Sequence, residues 1–502
     1  MRRLSAPGRS HRSLALILIG AICLQWMLGG LFPSSVAGFV PDRQEQGGSI
    51  FLPLVMANYV PPEGRLCRFG VGAPTNIADY PVNNLRIGWY TDWGSALKPA
   101  RPGGIEYLQM VRLAQTGPTT YASSPSASAL PAMIAANPGA LWVIGNEPDR
   151  RAWQDSLEPQ VYAIAYHDLY GQIKNADPSS RIVAGSIVQP TPLRLQYLDL
   201  VLSSYRARFG VDMPVDVWNI HAFILQEKSC SVSCPYDPDC GWGAGIPPGM
   251  SDCTGKTYTI EQHDDLAIFK QFIVDFRRWM ADNNYQDRPL IITEFGVLMP
   301  PDYGTPPFGP PRVNAFMNAT FDYLSTAVGP SGYGSDKGRL VQAWAWYSLS
   351  DNTSYNGWLF DPVTKARTAL GNNFAAYTAS VTPRINLTPV KLWTEPAAIT
   401  GSGQAAGTAL AAQVANNGNI AMATSTTVRF YSGDPNVGGV QIGTDQILWP
   451  LDGCANTGTA RVTWTGATPG TVTVWAVVDP NNTLFESDEA DNRLSAQITV
   501  GQ

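Results

Sequence analysis

The chain has 502 residues, only 15% of them charged, with a formal net charge of −6. That length predicts about two or three domains, and the weak negative charge leaves no electrostatic footprint for DNA or RNA. With 47 Gly and 40 Pro the composition fits a globular fold with many structured loops, not a disordered or coiled-coil chain.

Fifteen Trp and 20 Tyr against so few charges favour carbohydrate as the ligand. Sugar C–H faces pack on aromatic rings, and the hydroxyls need only a few oriented polar groups. The N-terminus reads as an export signal over 1–37: Arg2, Arg3, Arg9 and Arg12 precede the apolar run 14–32, and Ser35-Val36-Ala37 fits a cleavage site. An uncleaved anchor is the competing reading, because that run could just span a bilayer. Both readings place the rest of the chain outside the cytoplasm, secreted or at the cell surface. Residues 38–65 read as a linker.

From 66 to 385, short apolar runs alternate with helical stretches. The strand candidates are 67–73, 85–91, 107–113, 140–146, 181–187, 215–223, 289–295 and 341–349; the clearest helices are 158–176, 192–207, 264–283 and 312–327. Eight mostly continuous apolar strands separated by helices predict an α/β fold, a closed parallel (β/α)8 TIM barrel, and the span fits that barrel with insertions. Residues 386–502 change texture to short Thr/Val/Gly/Asn-rich alternating runs, which predict an immunoglobulin-like β-sandwich of about seven strands.

Six cysteines follow the export segment, an even number that favours disulfides in an oxidising compartment. Cys230, Cys234, Cys240 and Cys253 predict two bridges with three possible connectivities. Zinc is the competing reading, although C-x3-C-x5-C-x12-C matches no common zinc pattern. Cys67 and Cys454 either bridge the two domains or stay free.

In a parallel barrel, catalytic side chains stand at the C-terminal ends of the strands. The fourth candidate runs into Gly145-Asn146-Glu147-Pro148-Asp149 and the seventh into Thr293-Glu294-Phe295-Gly296. Two glutamates so placed fit retaining glycoside hydrolysis, in which one carboxylic acid protonates the leaving oxygen and a carboxylate about 5–5.5 Å away attacks the anomeric carbon. Glu147 is the expected acid/base and Glu294 the expected nucleophile. Arg86 on the second strand is the candidate to hold Glu294 charged, and Asn146 could bind the sugar 2-hydroxyl. Trp89, Trp93 and Trp242 are candidate outer platforms. Trp344, His167 and His263 read as structural. No metal or cofactor is expected, and a monomer is.

This arrangement resembles clan A glycoside hydrolases, carried by Asn146-Glu147-Pro148, His221 in WNIHAF, Thr293-Glu294-Phe295 and Trp346 in WAWYS. The resemblance implies that His221 hydrogen-bonds toward the nucleophile and that Trp346 is a sugar platform. Within the clan, the GNEPD, His and TEFG set looks most like enzymes that cleave β-1,3-glucan, while the 224–262 insertion has no counterpart. The stretch DPNNTLFESDEADN at 479–492 resembles the signature of the bacterial cell-adhesion-related (CARDB) domain, implying a spacer or cell-surface attachment module. Its acidic run reads as turn caps, with calcium binding as the competing reading. The sequence thus predicts an exported polysaccharide hydrolase. Two alternatives stay open: a non-catalytic carbohydrate-binding surface protein, and a transglycosylase that shares the same residues.

Overall fold

The computed structural model describes residues 64–151, 154–237, 240, 242–351, 355–395, 409–465 and 470–500. The 1–37 export segment and nearly all of the 38–65 linker lie outside them.

Eight parallel strand positions form the N-terminal part: β1 (Leu66–Gly72), β2 (Ile87–Thr91), β3 with β4 (Glu106–Tyr107 and Gln109–Gly117), β6 (Leu141–Ile144), β7 (Arg181–Ile187), β8 (Val217–His221), β9 (Leu290–Phe295) and β11 (Ala343–Tyr347). Neighbours pair in parallel around the ring, β11 returning to β1 through Val71 opposite Trp346. The ring closes through the third position, which Leu108 splits in two. Tyr107 pairs with Tyr90 on one side, and Gln109 with Trp142 on the other. The antiparallel strand β5 (Thr120–Ser124) folds back on β4 outside the ring.

Helices α1 (Leu130–Ala136), α2 (Pro159–Ala176), α3 (Pro192–Phe209), α4 (Leu266–Asp282), α5 (Pro310–Thr326) and α6 (Ala369–Ser380) cover the outside. The first two crossovers carry only short 3-10 turns, at 77–79, 82–85 and 102–104. Strand β10 (Val328–Tyr333) lies between α5 and β11.

Leu108, Met110, Val143, Val183, Val217 and Ile291 fill the barrel interior, with Trp89 and Trp93 packed against them. Each fully buried aliphatic is worth about 1.5–3 kcal/mol, so this lumen is a packed core, not a pore. Above it lies a polar layer. The Asn219 amide donates to Ser186 Oγ at 2.8 Å and to Thr293 Oγ1 at 2.7 Å.

Among the described residues, the C-terminal part is a seven-stranded sandwich. One sheet holds β12 (Leu387–Glu395), β13 (Ala409–Asn416) and β16 (Asn456–Thr463). The other holds β14 (Thr426–Ser432), β15 (Val440–Leu448), β17 (Gly470–Val478) and β18 (Arg493–Val500). The alternating burial along β12 and β14 follows from strand geometry and encloses a core around Val414, Phe430 and Val474.

Cys67 and Cys454 do bridge the two parts, with Cα atoms 6.0 Å apart. Around this bond the Cys67 amide donates to Asn419 O at 3.0 Å, and Lys337 pairs with Asp491 at 2.6 Å and Asp488 at 3.1 Å. The rest of the acidic run is engaged as well. Asp479 accepts from Thr426, Thr483 and the Leu484 amide, and Glu486 from the Leu387 amide and Asn492. These contacts are those of turn caps and a docking contact. Because the bridge closes a separation of 387 residues, the double variant Cys67→Ser/Cys454→Ser is expected to lose about 2–5 kcal/mol. Scanning calorimetry should then show the sandwich and barrel melting as separate transitions, where the parent shows one.

Candidate active site

Glu147 and Glu294 both lie at the C-terminal mouth of the barrel. Glu294 is the penultimate residue of β9 and sits in register with His221, the last residue of β8. Glu147 stands three residues beyond β6, and its amide donates to Ser186 O at 3.0 Å, which ties the loop to β7. It adopts φ 44°, a left-handed conformation that costs a residue with a Cβ about 1–3 kcal/mol and clusters at functional sites.

His221 lies between the two carboxylates. Its Nδ1 is 2.9 Å from Glu147 Oε1 and its Nε2 is 3.3 Å from Glu294 Oε1. The second contact is a charge contact rather than an aligned hydrogen bond. Ligand atoms of Glu147, His221 and Glu294 all lie within 4.8 Å of one another, close enough to hold a metal ion. The Trp93 indole N–H and the Arg150 guanidinium already donate to the carboxylates: Trp93 to Glu294 Oε1 at 2.5 Å, Arg150 Nη1 to Glu147 Oε2 at 3.2 Å. A cation placed there would face a guanidinium.

All three groups are almost wholly buried, and their charges set one another. Burial opposes ionisation of Glu147, but Arg150 and His221 overcome it and hold the carboxyl below its ordinary range. Burial raises Glu294; His221 and the Trp93 N–H draw it back, the Glu147 charge pushes it up again, and it stays above the ordinary carboxylate range. Burial disfavours the His221 cation, yet the two carboxylates raise its pKa.

Asn146 is where the sequence placed it, buried beside Glu147. Its amide NH2 donates to Gln154 Oε1 at 3.1 Å, while Oδ1 is buried without a partner. Two expectations are corrected. Arg86 is not near Glu294: it precedes β2, so it stands at the floor, and its guanidinium donates to the carbonyls of Gly64, Thr378 and Val381 at 2.7, 2.5 and 3.0 Å. The sequence reading began that strand two residues early. Trp346 is no platform: it is fully buried, bonded to Gly357 O at 2.8 Å, with its ring edge-on to Phe295. Strand side chains alternate faces, so on β11 Trp344 and Trp346 point to the helices and the neighbouring Tyr347 points to the mouth. Its ring lies 5.7 Å from that of Trp93 and 5.9 Å from that of Phe223, and its hydroxyl donates to Asp351 at 3.1 Å.

Of the three candidate platforms, Trp89 packs in the lumen, Trp93 holds Glu294, and Trp242 packs in the insertion beside Phe223 and Tyr347. His263 is structural: its Nδ1 contacts Ile224 O and its Nε2 accepts from the Leu298 amide. The sequence reading missed Arg150 and Tyr347. Arg150 follows Glu147 by three positions in the same loop, and that proximity was the available signal.

The described residues of the 224–262 insertion form a wall tied to the barrel. Its disulfides are Cys230–Cys240 and Cys234–Cys253. Arg194 of α3, wholly buried, donates to Asp149, to Glu227 Oε1 at 2.8 Å, and to the carbonyls of Ala244 and Gly245 at 2.9 Å. Arg150 Nη2 reaches Gly243 O at 3.2 Å, and Arg151 the carbonyls of Ile246, Pro247 and Met250. The segment that carries Glu147 and the insertion are therefore one hydrogen-bonded unit.

Two solved glycosidases resemble the chain distantly. A glucosidase from Croceicoccus marinus is 11% identical, covering 80% of this chain and 95% of its own, with a TM-score of 0.41. A monomeric β-xylosidase from Caulobacter crescentus CB15 is 10% identical, covering 80% and 97%, with a TM-score of 0.40. A domain of a cell surface protein from Methanosarcina acetivorans is 25% identical, covering 24% of this chain and 93% of its own, with a TM-score of 0.19. No curated protein matches. The CARDB family model matches residues 392–496, and this segment of the sandwich is a CARDB domain.

Proposed function

We propose that the protein is an exported retaining glycoside hydrolase that cleaves O-glycosidic bonds in a polysaccharide by double displacement. The observation that carries this reading is the approach of the Glu147 and Glu294 side chains at the barrel mouth, with a carboxylate oxygen of one within 4.8 Å of a carboxylate oxygen of the other. Oxygens that close suit the carboxyl pair about 5–5.5 Å apart that retaining chemistry uses better than the pair about 6.5–9.5 Å apart that inverting enzymes use to hold a water. The three disulfides support export. The CARDB domain supports attachment at a cell surface.

In this reading Glu294 attacks the anomeric carbon while Glu147 passes a proton to the leaving oxygen. A glycosyl ester forms on Glu294. Glu147 then takes a proton from water, which attacks the anomeric carbon, displaces the Glu294 carboxylate and releases sugar with its original configuration. The Trp93 N–H holds the attacking carboxylate, and the Asn146 carbonyl is placed to accept from a sugar hydroxyl. The sequence resemblance nominates β-1,3-glucan as the first substrate to try.

A second reading exchanges the two roles, and the cation on Glu147 favours it: Arg150 keeps that carboxylate ionised, while Glu294 is the more easily protonated. Azide rescue on an activated aryl glycoside separates the two. With Glu147 as acid/base, azide restores turnover of Glu147→Ala and yields a glycosyl azide of retained configuration, whereas Glu294→Ala yields the inverted azide. Swapped products would establish the exchanged roles. An inverted sugar from the parent enzyme would overturn both readings.

A further inference from the structure

Among the described residues, Arg150 is the guanidinium in hydrogen-bond contact with Glu147, and the double displacement does not use it. It is three residues past Glu147, and its side chain is 12% exposed. Its two contacts are long for a guanidinium, 3.2 Å to Glu147 Oε2 and 3.2 Å to Gly243 O, against about 2.7–2.9 Å for well-made charge-assisted bonds. Its Nε is buried with no partner. A guanidinium has five donors in a planar fork, and this one is incompletely used.

Its position also works against the reaction. A cation touching the group that must deliver a proton favours the wrong charge state, and a neutral sugar would leave that cation in place. A substrate carboxylate would not. It would take the fork through two parallel bonds, neutralise the arginine and leave Glu147 free to hold its proton. The Gly243 carbonyl that steadies Arg150 belongs to the wall clamped by Arg194, so the fork is held in position.

We propose that Arg150 recognises the carboxylate of a uronic acid unit beside Glu147, and that the polysaccharide cleaved here is acidic. The proposal rests on the hydrolase reading with Glu147 as acid/base. It is tested by calorimetric binding to the full-length Glu294→Gln variant, using trisaccharides of glucuronic, galacturonic and mannuronic acid, each paired with its carboxyl-reduced counterpart, and neutral laminaritriose.

The expected result is one acidic trisaccharide bound at least about tenfold more tightly than its reduced partner. Adding Arg150→Gln should erase that preference and leave binding of the reduced sugar within about threefold, with Arg150→Lys in between because it keeps the charge and loses the fork. The proposal is overturned if no acidic trisaccharide binds, if the reduced partners or laminaritriose bind as well, or if the preference survives Arg150→Gln. Turnover by the parent enzyme is a separate readout. Arg150-dependent binding without cleavage would uphold carboxylate recognition by Arg150 and sink the hydrolase reading, whereas cleavage of laminaritriose with no acid preference would do the reverse.

Discussion

Glu294→Gln is expected to lower kcat by at least about 10³-fold, some 4 kcal/mol of lost transition-state stabilisation, without unfolding the protein. The amide has the same shape, and its oxygen can still accept from Trp93 at the position of Oε1. What disappears is a nucleophilic charge buried beside a second carboxylate. The sign of the stability change follows from linkage. Folding raises the Glu294 pKa, so the folded chain binds more protons there than the unfolded one. That difference costs nothing at pH values below the ordinary carboxylate range and costs progressively more as pH rises through it toward the raised value. The variant should therefore match the parent's thermal midpoint near pH 4 and equal or exceed it near pH 7. Steady-state kinetics with calorimetry at both pH values checks this. A fully active variant would remove Glu294 from the mechanism.

Arg194→Met should produce the largest loss of stability. The guanidinium is wholly buried and pairs with two carboxylates that are wholly buried themselves, Asp149 and Glu227. Its removal leaves both anions and the Ala244 and Gly245 carbonyls without this donor. Breaking a buried pair on one side typically costs about 3–5 kcal/mol, because the remaining charge has no compensation. For a domain of this size that corresponds to roughly 10 °C in Tm. Activity should fall with it, since Asp149 is two residues from Glu147. Arg194→Lys should recover part of the loss. A Met variant melting within a degree or two of the parent would show that the clamp carries little.

The barrel was legible because strands buried on both faces read as unbroken apolar runs, and all eight positions lie where such runs occur. The glutamates were legible because GNEP and TEFG follow two of those runs directly. Other features depend on quantities that such runs do not encode. Whether Trp346 or Tyr347 faces the mouth is a matter of one residue of register, which a fully apolar strand leaves undetermined. Arg86 was misplaced because LRIGWYT continues its pattern through a residue that the chain turns at φ 51°. The first two crossovers lack α-helices, which the count of strands did not reveal. The pairing of Cys67 with Cys454 needs the three-dimensional juxtaposition of segments 387 residues apart. Arg150 was not legible because it lies in the loop beyond a strand end, where no hydrophobic period marks which side chains turn inward.

The covalent link also governs orientation. Cys67 is the second residue of β1, at the floor of the barrel, and Lys337 and Arg68 make their contacts with the sandwich on that same side. The sandwich is thus held both by the peptide chain and by a sulfur bridge, on the side opposite the cleft. Two points of attachment prevent the swivelling that a single flexible leash would allow. If the C-terminal module is fixed to a surface, the mouth faces outward and keeps that heading, and pulling force enters the barrel through its first strand and its last helix, α6, without crossing Glu147 or Glu294.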